Sequence, residues 1–151
     1  MIGSAAIRWR PVLIGIAIAT ALAGVVAFTA IRTRPVRRAV TAYSQLLGAA
    51  SRQDLDAARA LCSVRYLQTH SIEAADEGGI IGLPRNTHPN FQAWRQGPNI
   101  WICPTNRVGP VYQFVLEGSR WKFDGPVGLL RGRGVFLPYE DLTEAAASTP
   151  R

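Results

Sequence analysis

The run Pro11–Ile31 reads PVLIGIAIATALAGVVAFTAI, twenty-one positions with no charge and nothing more polar than two threonines. As a helix rising about 1.5 Å per residue it is about 31 Å long, which matches a bilayer hydrocarbon core of about 30 Å. The sequence therefore predicts a transmembrane helix over 11–31, behind a short tail, 1–10. A cleaved signal peptide is the competing reading, because Val25-Val26-Ala27 offers a small-residue cleavage site after an apolar region that starts at Val12. The apolar run continues to Ile31. That exceeds the usual h-region of about 7–15 residues and favours an uncleaved anchor. Within the run, Gly15, Ala19, Ala23 and Ala27 form a small-xxx-small stripe. Such a stripe lets two helices approach closely and would suit a homo-oligomer; in an alanine-rich chain it also arises without that role.

Charge follows the apolar run. The chain carries a formal +7, and six of its 17 Lys+Arg residues are Arg8, Arg10, Arg32, Arg34, Arg37 and Arg38. The remaining chain has eleven basic against ten acidic residues. The basicity thus belongs to the membrane flanks, where it meets anionic headgroups, and the expected partner is the lipid bilayer, not nucleic acid. Arg131-Gly132-Arg133-Gly134 looks like an RG fragment, but it lacks interleaved aromatics and reads as a loop. The arginines on the two sides of the run are nearly balanced, with a slight bias toward a cytoplasmic domain.

Beyond a basic flank, 32–38, the pattern is that of one soluble domain over 39–139 with a frayed tail, 140–151. Pro35 suits a helix start or a break. Val36, Val40, Tyr43, Leu47 and Ala50 recur at helical spacing and predict a helix over about 36–50. Ser51 reads as the next N-cap, with Asp54 three residues on. Leu55, Ala58, Leu61, Cys62 and Tyr66 form the buried face of a second helix. Ile72–Glu77 reads as one or two helical turns stopped by Gly78-Gly79. Pro89 is placed at the first position of a short helix carrying Phe91 and Trp94, closed by Gly97-Pro98. From Asn99 the period becomes two. Strands are expected at about 99–103, 111–117 and 120–124. The last two form a hairpin, and Gly125-Pro126 interrupts the sheet before a final strand near Val135–Leu137.

This order is α+β. The phrase AYSQLLGAASRQDLDAARALCS, followed by the hairpin VYQFVLEGSRWKFDG, resembles the nuclear transport factor 2-like superfamily. The resemblance covers Arg38–Gln68 and Asn99–Gly125; the insert 78–98 falls outside it. It implies two amphipathic helices packed on a curved antiparallel sheet, a cone that can leave an open pocket. Some members are isomerases, dehydratases or cyclases, others only bind ligands or partners. Some sit behind one membrane helix as scaffold components of secretion systems, and that layout points to a single-pass cell-membrane protein with an extracytoplasmic domain. Fold alone does not choose among these roles. The leading reading is a tethered, non-enzymatic binding module of the envelope. The alternatives are an enzyme acting on a small hydrophobic ligand in the cone and a scaffold subunit of a secretion-type complex.

An isomerase or dehydratase needs a tuned carboxylate or imidazole and an oxyanion donor. Asp124, Tyr112, His70, His88 and Tyr66 qualify by type, but none lies in a motif. Asp124, before Gly125-Pro126, reads first as a turn residue, and Tyr112 as a core residue with a bonded hydroxyl. The candidate binding residues are Arg85, His88, Trp94, Tyr112 and Asp124. Within the insert, Arg85, His88, Phe91, Trp94 and Arg95 form either a lip over the mouth of the cone or a plug of its open end. Cys62, Cys103, His70 and His88 lack the spacing of a metal site, and no cofactor is expected. The two cysteines read as buried thiols; a Cys62–Cys103 disulfide is the alternative in an oxidising compartment.

Overall fold

A computed structural model describes residues 9–85, 91–105, 108–131 and 134–140. The chain divides into two units, Met1–Pro35 and Val36–Arg151. Helix α1 (Trp9–Ser51) contains Pro35 in its interior. This corrects the expected break: the amphipathic stretch is the end of a longer helix. Pro35 cannot donate a backbone bond, and an interior proline costs about 3 kcal/mol. It coincides with the boundary between the units. Among the described residues, no helix is long and apolar enough to cross a membrane. The side chains of most of 11–31, including Gly15, Ala23 and Ala27 of the stripe, lie outside the described residues; Ala19 is exposed.

In the second unit, Tyr43, Leu47 and Ala50 of the expected stripe of α1 are buried in the core together with Ala39, Ala42 and Leu46, while Val36 and Val40 are partly buried against it. Helix α1 ends at Ser51, whose hydroxyl turns back to Gly48 O at 3.0 Å. Asp54, not Ser51, is the next N-cap and accepts from Ala57 N at 3.0 Å. The expected second helix is two short ones, α2 (Leu55–Leu61) and α3 (Val64–Thr69). Between them Cys62 bridges to Phe123, and Ser63 N donates to Phe123 O at 2.8 Å. The extended Cys62-Ser63 pair thus hydrogen-bonds to the sheet, and Ser63 then caps α3. Helical periodicity survives this interruption because both pieces bury the same stripe.

Residues 73–81 form no helix. Strands β1 (Glu73–Ala74) and β2 (Ile80–Ile81) pair as a small hairpin, with Gly78 and Gly79 at positive φ between them. The larger sheet has five antiparallel strands in sequence order: β3 (Gln92–Gln96), β4 (Asn99–Cys103), β5 (Gly109–Glu117), β6 (Arg120–Arg131) and β7 (Val135–Pro138). Strand β3 replaces the short helix expected after Pro89, and residues 86–90, with His88 and Pro89, lie outside the described residues. Gly97-Pro98 is the two-residue turn that joins β3 to β4. Gly97 has φ 58° and proline holds the second position at negative φ, the sign pattern of a II′ turn. Two-residue spacing forces Trp94 opposite Trp101.

Strand β6 also corrects an expectation, since it runs through Gly125-Pro126 instead of stopping there. The register explains how. Phe114 pairs with Phe123 and Tyr112 with Pro126, so Asp124 and Gly125 together oppose Gln113; a second extra residue, Val127, follows. Two bulges in four residues bend the strand, and the sheet curls. The core lies where α1 meets the face carrying Ile100, Ile102, Phe114, Trp121 and Phe123. A second, smaller cluster gathers Cys103, Val111 and Leu130 with Trp94, Trp101, Val127 and Phe136.

Candidate functional site

Strand alternation sends Ile100 and Ile102 into the main core and Trp101 and Cys103 into the second cluster. The same alternation on β5 separates Phe114 from Gln113 and Val111. The main-core face is packed with aromatic rings. Tyr43 meets Phe114 edge-on with centroids 6.1 Å apart, and Phe114 and Phe123 lie 5.8 Å apart. Tyr112 lies 6.4 Å from Tyr43 and 5.8 Å from Phe123. Burial, then the neighbouring Tyr139, Cys103 and Tyr66, pushes the Tyr112 hydroxyl up to about 12. It stays protonated at neutral pH and serves as a core aromatic. Tyr43, Trp121 and Phe123 are all buried, so aromatic rings fill much of this face of the sheet.

The other face carries a chain of side chains across the strands. Trp101 Nε1 donates to Gln113 Oε1 at 3.1 Å, and Gln113 Nε2 donates to Asp124 Oδ2 at 3.0 Å. Arg65 Nε donates to Asp124 Oδ1 at 3.0 Å, and Arg65 Nη2 donates to Oδ2. Ser63 Oγ donates to Oδ1 and itself accepts Tyr66 N at 3.0 Å. Four donors meet the carboxylate of Asp124, whose side chain is 3% exposed. A carboxylate offers about four acceptor positions, so none is left for a substrate. Burial pushes its pKa up, but hydrogen bonds from Arg65, Ser63 and Gln113 outweigh that and hold it below the ordinary carboxylate value. This is a poor general base. Asp124 is not the turn residue that its place before Gly125-Pro126 suggests, and its carboxylate, a catalytic candidate by type, is fully engaged. It is a buried junction tying α3 to β5 and β6.

Beyond Gln113 the same face opens into an apolar groove of about 760 Å³. Trp94, Trp101, Leu130 and Phe136 supply its apolar lining, and Gln92 and Gln96 lie at its polar side. Trp94 and Trp101 stand edge-to-face at 6.1 Å, and Phe136 lies 4.6 Å from Trp101. All three rings are half-buried, and among the described residues none that lines the groove is charged. The hydrogen bond from Trp101 Nε1 to Gln113 fixes the central ring.

The structure does not bring the sequence-derived site residues together. Trp94 is in the groove, Asp124 is reached from it through Trp101 and Gln113, and Tyr112 is on the opposite face. Arg85 is exposed, its side chain over Gly79, and His88 lies outside the described residues. Neither Phe91, which is 41% exposed, nor Trp94 plugs the main core. His70 stacks on Tyr66 at 4.5 Å, and among the described residues no metal-binding group of three or more side chains occurs. Cys62 and Cys103 are free and buried in separate clusters, so the disulfide alternative is not the arrangement found. Sequence reasoning missed Trp101 and Phe136. The available signal was that Trp101 has the opposite strand phase to Ile100 and Ile102. Comparison with protein-family models, with curated proteins and with solved structures returns no match.

Proposed function

We propose that this chain is a membrane-tethered, non-enzymatic binding module. Its soluble unit, a nuclear transport factor 2-like fold in this reading, uses the Trp94–Trp101–Phe136 groove to take an uncharged apolar ligand or the apolar side chains of a partner. The observation that carries the reading is this groove: three half-buried aromatic rings around an opening whose described lining is uncharged, on the face opposite the aromatic main core. Rigid aromatic anchors lose little conformational entropy on binding and dominate many interfaces. The charge-free run 11–31 with its arginine flanks supports the tether, and the resemblance supports an extracytoplasmic side. The packed rings of the main core weigh against an enzyme working inside the cone.

The test is a photo-crosslinker replacing Trp94 in the full chain in its native membrane, with the same group at exposed Ile81 as control. The expected result is a discrete adduct from position 94 that disappears with Trp101→Ala. No adduct at position 94, or the same adduct from both positions, overturns the reading.

A further inference from the structure

A second opening in the soluble unit has the opposite chemistry. It lies between α1, α2 and the β5–β6 turn and encloses about 470 Å³. Its floor includes Ala42, Leu61 and Trp121, and its lining includes Arg38, Arg120 and Lys122. Among the described residues no carboxylate lines it. Lys122 Nζ donates to Ala60 O, which fixes the ammonium at the wall. Arg38 and Arg120 are exposed, and among the described residues neither forms an ion pair. Glu117 pairs with Arg120 across the strands, but its Oε1 is engaged by Val64 N at 3.1 Å. Thr41, Gln45 and Ser119 add polar groups to the lining.

Three cations from α1 and β6, about eighty residues apart in sequence, thus converge on one groove in a domain otherwise close to neutral. Such a concentration favours an anion with several acceptor oxygens, and Arg forks match phosphate geometry. Arg38 is the last of four arginines in the seven residues after the apolar run. We propose that the groove binds the phosphate of an anionic phospholipid headgroup and so docks this face of the soluble unit on the bilayer. The source, though not the phosphate chemistry, rests on the tether reading above.

The full chain is placed in nanodiscs of phosphatidylcholine with increasing phosphatidylglycerol, and backbone amide shifts of Thr41, Gln45 and Ser119–Lys122 are followed. Those shifts are expected to move saturably with the anionic lipid. Arg38→Gln and Arg120→Gln should each weaken the apparent affinity about fivefold, while exposed Arg59→Gln, outside the groove, leaves it unchanged. In a second arm inorganic phosphate is added to phosphatidylcholine nanodiscs. Saturation by millimolar phosphate alone assigns the site to a free anion and overturns the lipid source. Absence of shifts in both arms, or equal loss with Arg59→Gln, overturns the site. If carbonate washing strips the wild-type chain from membranes, the tether fails separately. Co-flotation of the chain with phosphatidylglycerol vesicles, lost in the Arg38→Gln/Arg120→Gln double variant, then decides the groove; flotation unchanged in that variant overturns it.

Discussion

Asp124 shows how a residue that looks catalytic by type is made structural by its surroundings. Its carboxylate accepts from Arg65, Ser63 and Gln113, and these bonds lower its pKa. The unfolded value is about 3.9. Because the folded value is lower, the stabilisation is complete above the unfolded value and is lost as pH falls through the folded one. Asp124→Asn turns one acceptor oxygen into a donor facing Arg65 and Gln113, so it should cost about 2–3 kcal/mol at pH 7. The gap between variant and wild type should narrow below about pH 4. Urea unfolding of both proteins at pH 7 and pH 3 measures this; a gap independent of pH would remove the charge from the explanation. The cysteines give a second residue-scale expectation. Burial, only partly opposed by Lys122, pushes Cys62 up to about 12, and burial also raises Cys103. Thiolate is the reactive form. Both thiols should resist alkylation in the native protein at pH 7.5, and two should titrate after unfolding without reductant.

At the scale of elements, β6 decides the architecture, and it does so through its bulges. Gly125 has φ 103°, and a Cβ there would come within 3.1 Å of the Tyr66 ring. Gly125→Ala therefore meets both backbone strain and a buried aromatic, with an expected loss of about 1–3 kcal/mol. Gly118→Ala, at φ 61° with open space around it, should cost only its backbone strain. Chemical denaturation of the two variants separates the terms. The bulge also explains what could be read from the sequence. The stripe of α1 and the β5–β6 hairpin were legible, because each obeys one period over its length. The continuation past Gly125-Pro126 was not, since glycine and proline mark an end unless partner strands absorb the extra residues. Phe91 and Trp94 share helical spacing, but Phe91 lies just before β3, and Trp94 is held in a strand by pairing with β4 across Gly97-Pro98. The groove was half legible: Trp94 stood out, Trp101 joins it through the β3–β4 register, and Phe136 reaches it only when the sheet curls.

At the scale of the whole molecule, two units carry two kinds of information. The second holds the packed core, the aromatic groove and the cationic groove; the first holds the uncharged run. Six arginines flank that run, and the rest of the chain is nearly balanced. If the run is the tether, charge at its centre should detach the chain without unfolding the second unit. Ala19→Arg together with Ala23→Arg is the direct trial, because each central charge costs about 2.5–3.5 kcal/mol of insertion. The double variant should move from the carbonate-resistant membrane pellet to the soluble fraction. Its native thiols should stay protected, since Cys62 and Cys103 report the core and the second cluster independently of the run. Retention in the pellet with protected thiols would mean that the second unit holds the membrane by itself. Release with exposed thiols would mean that the run supports the fold instead of anchoring it. Release with protected thiols is the outcome that a separable tether requires.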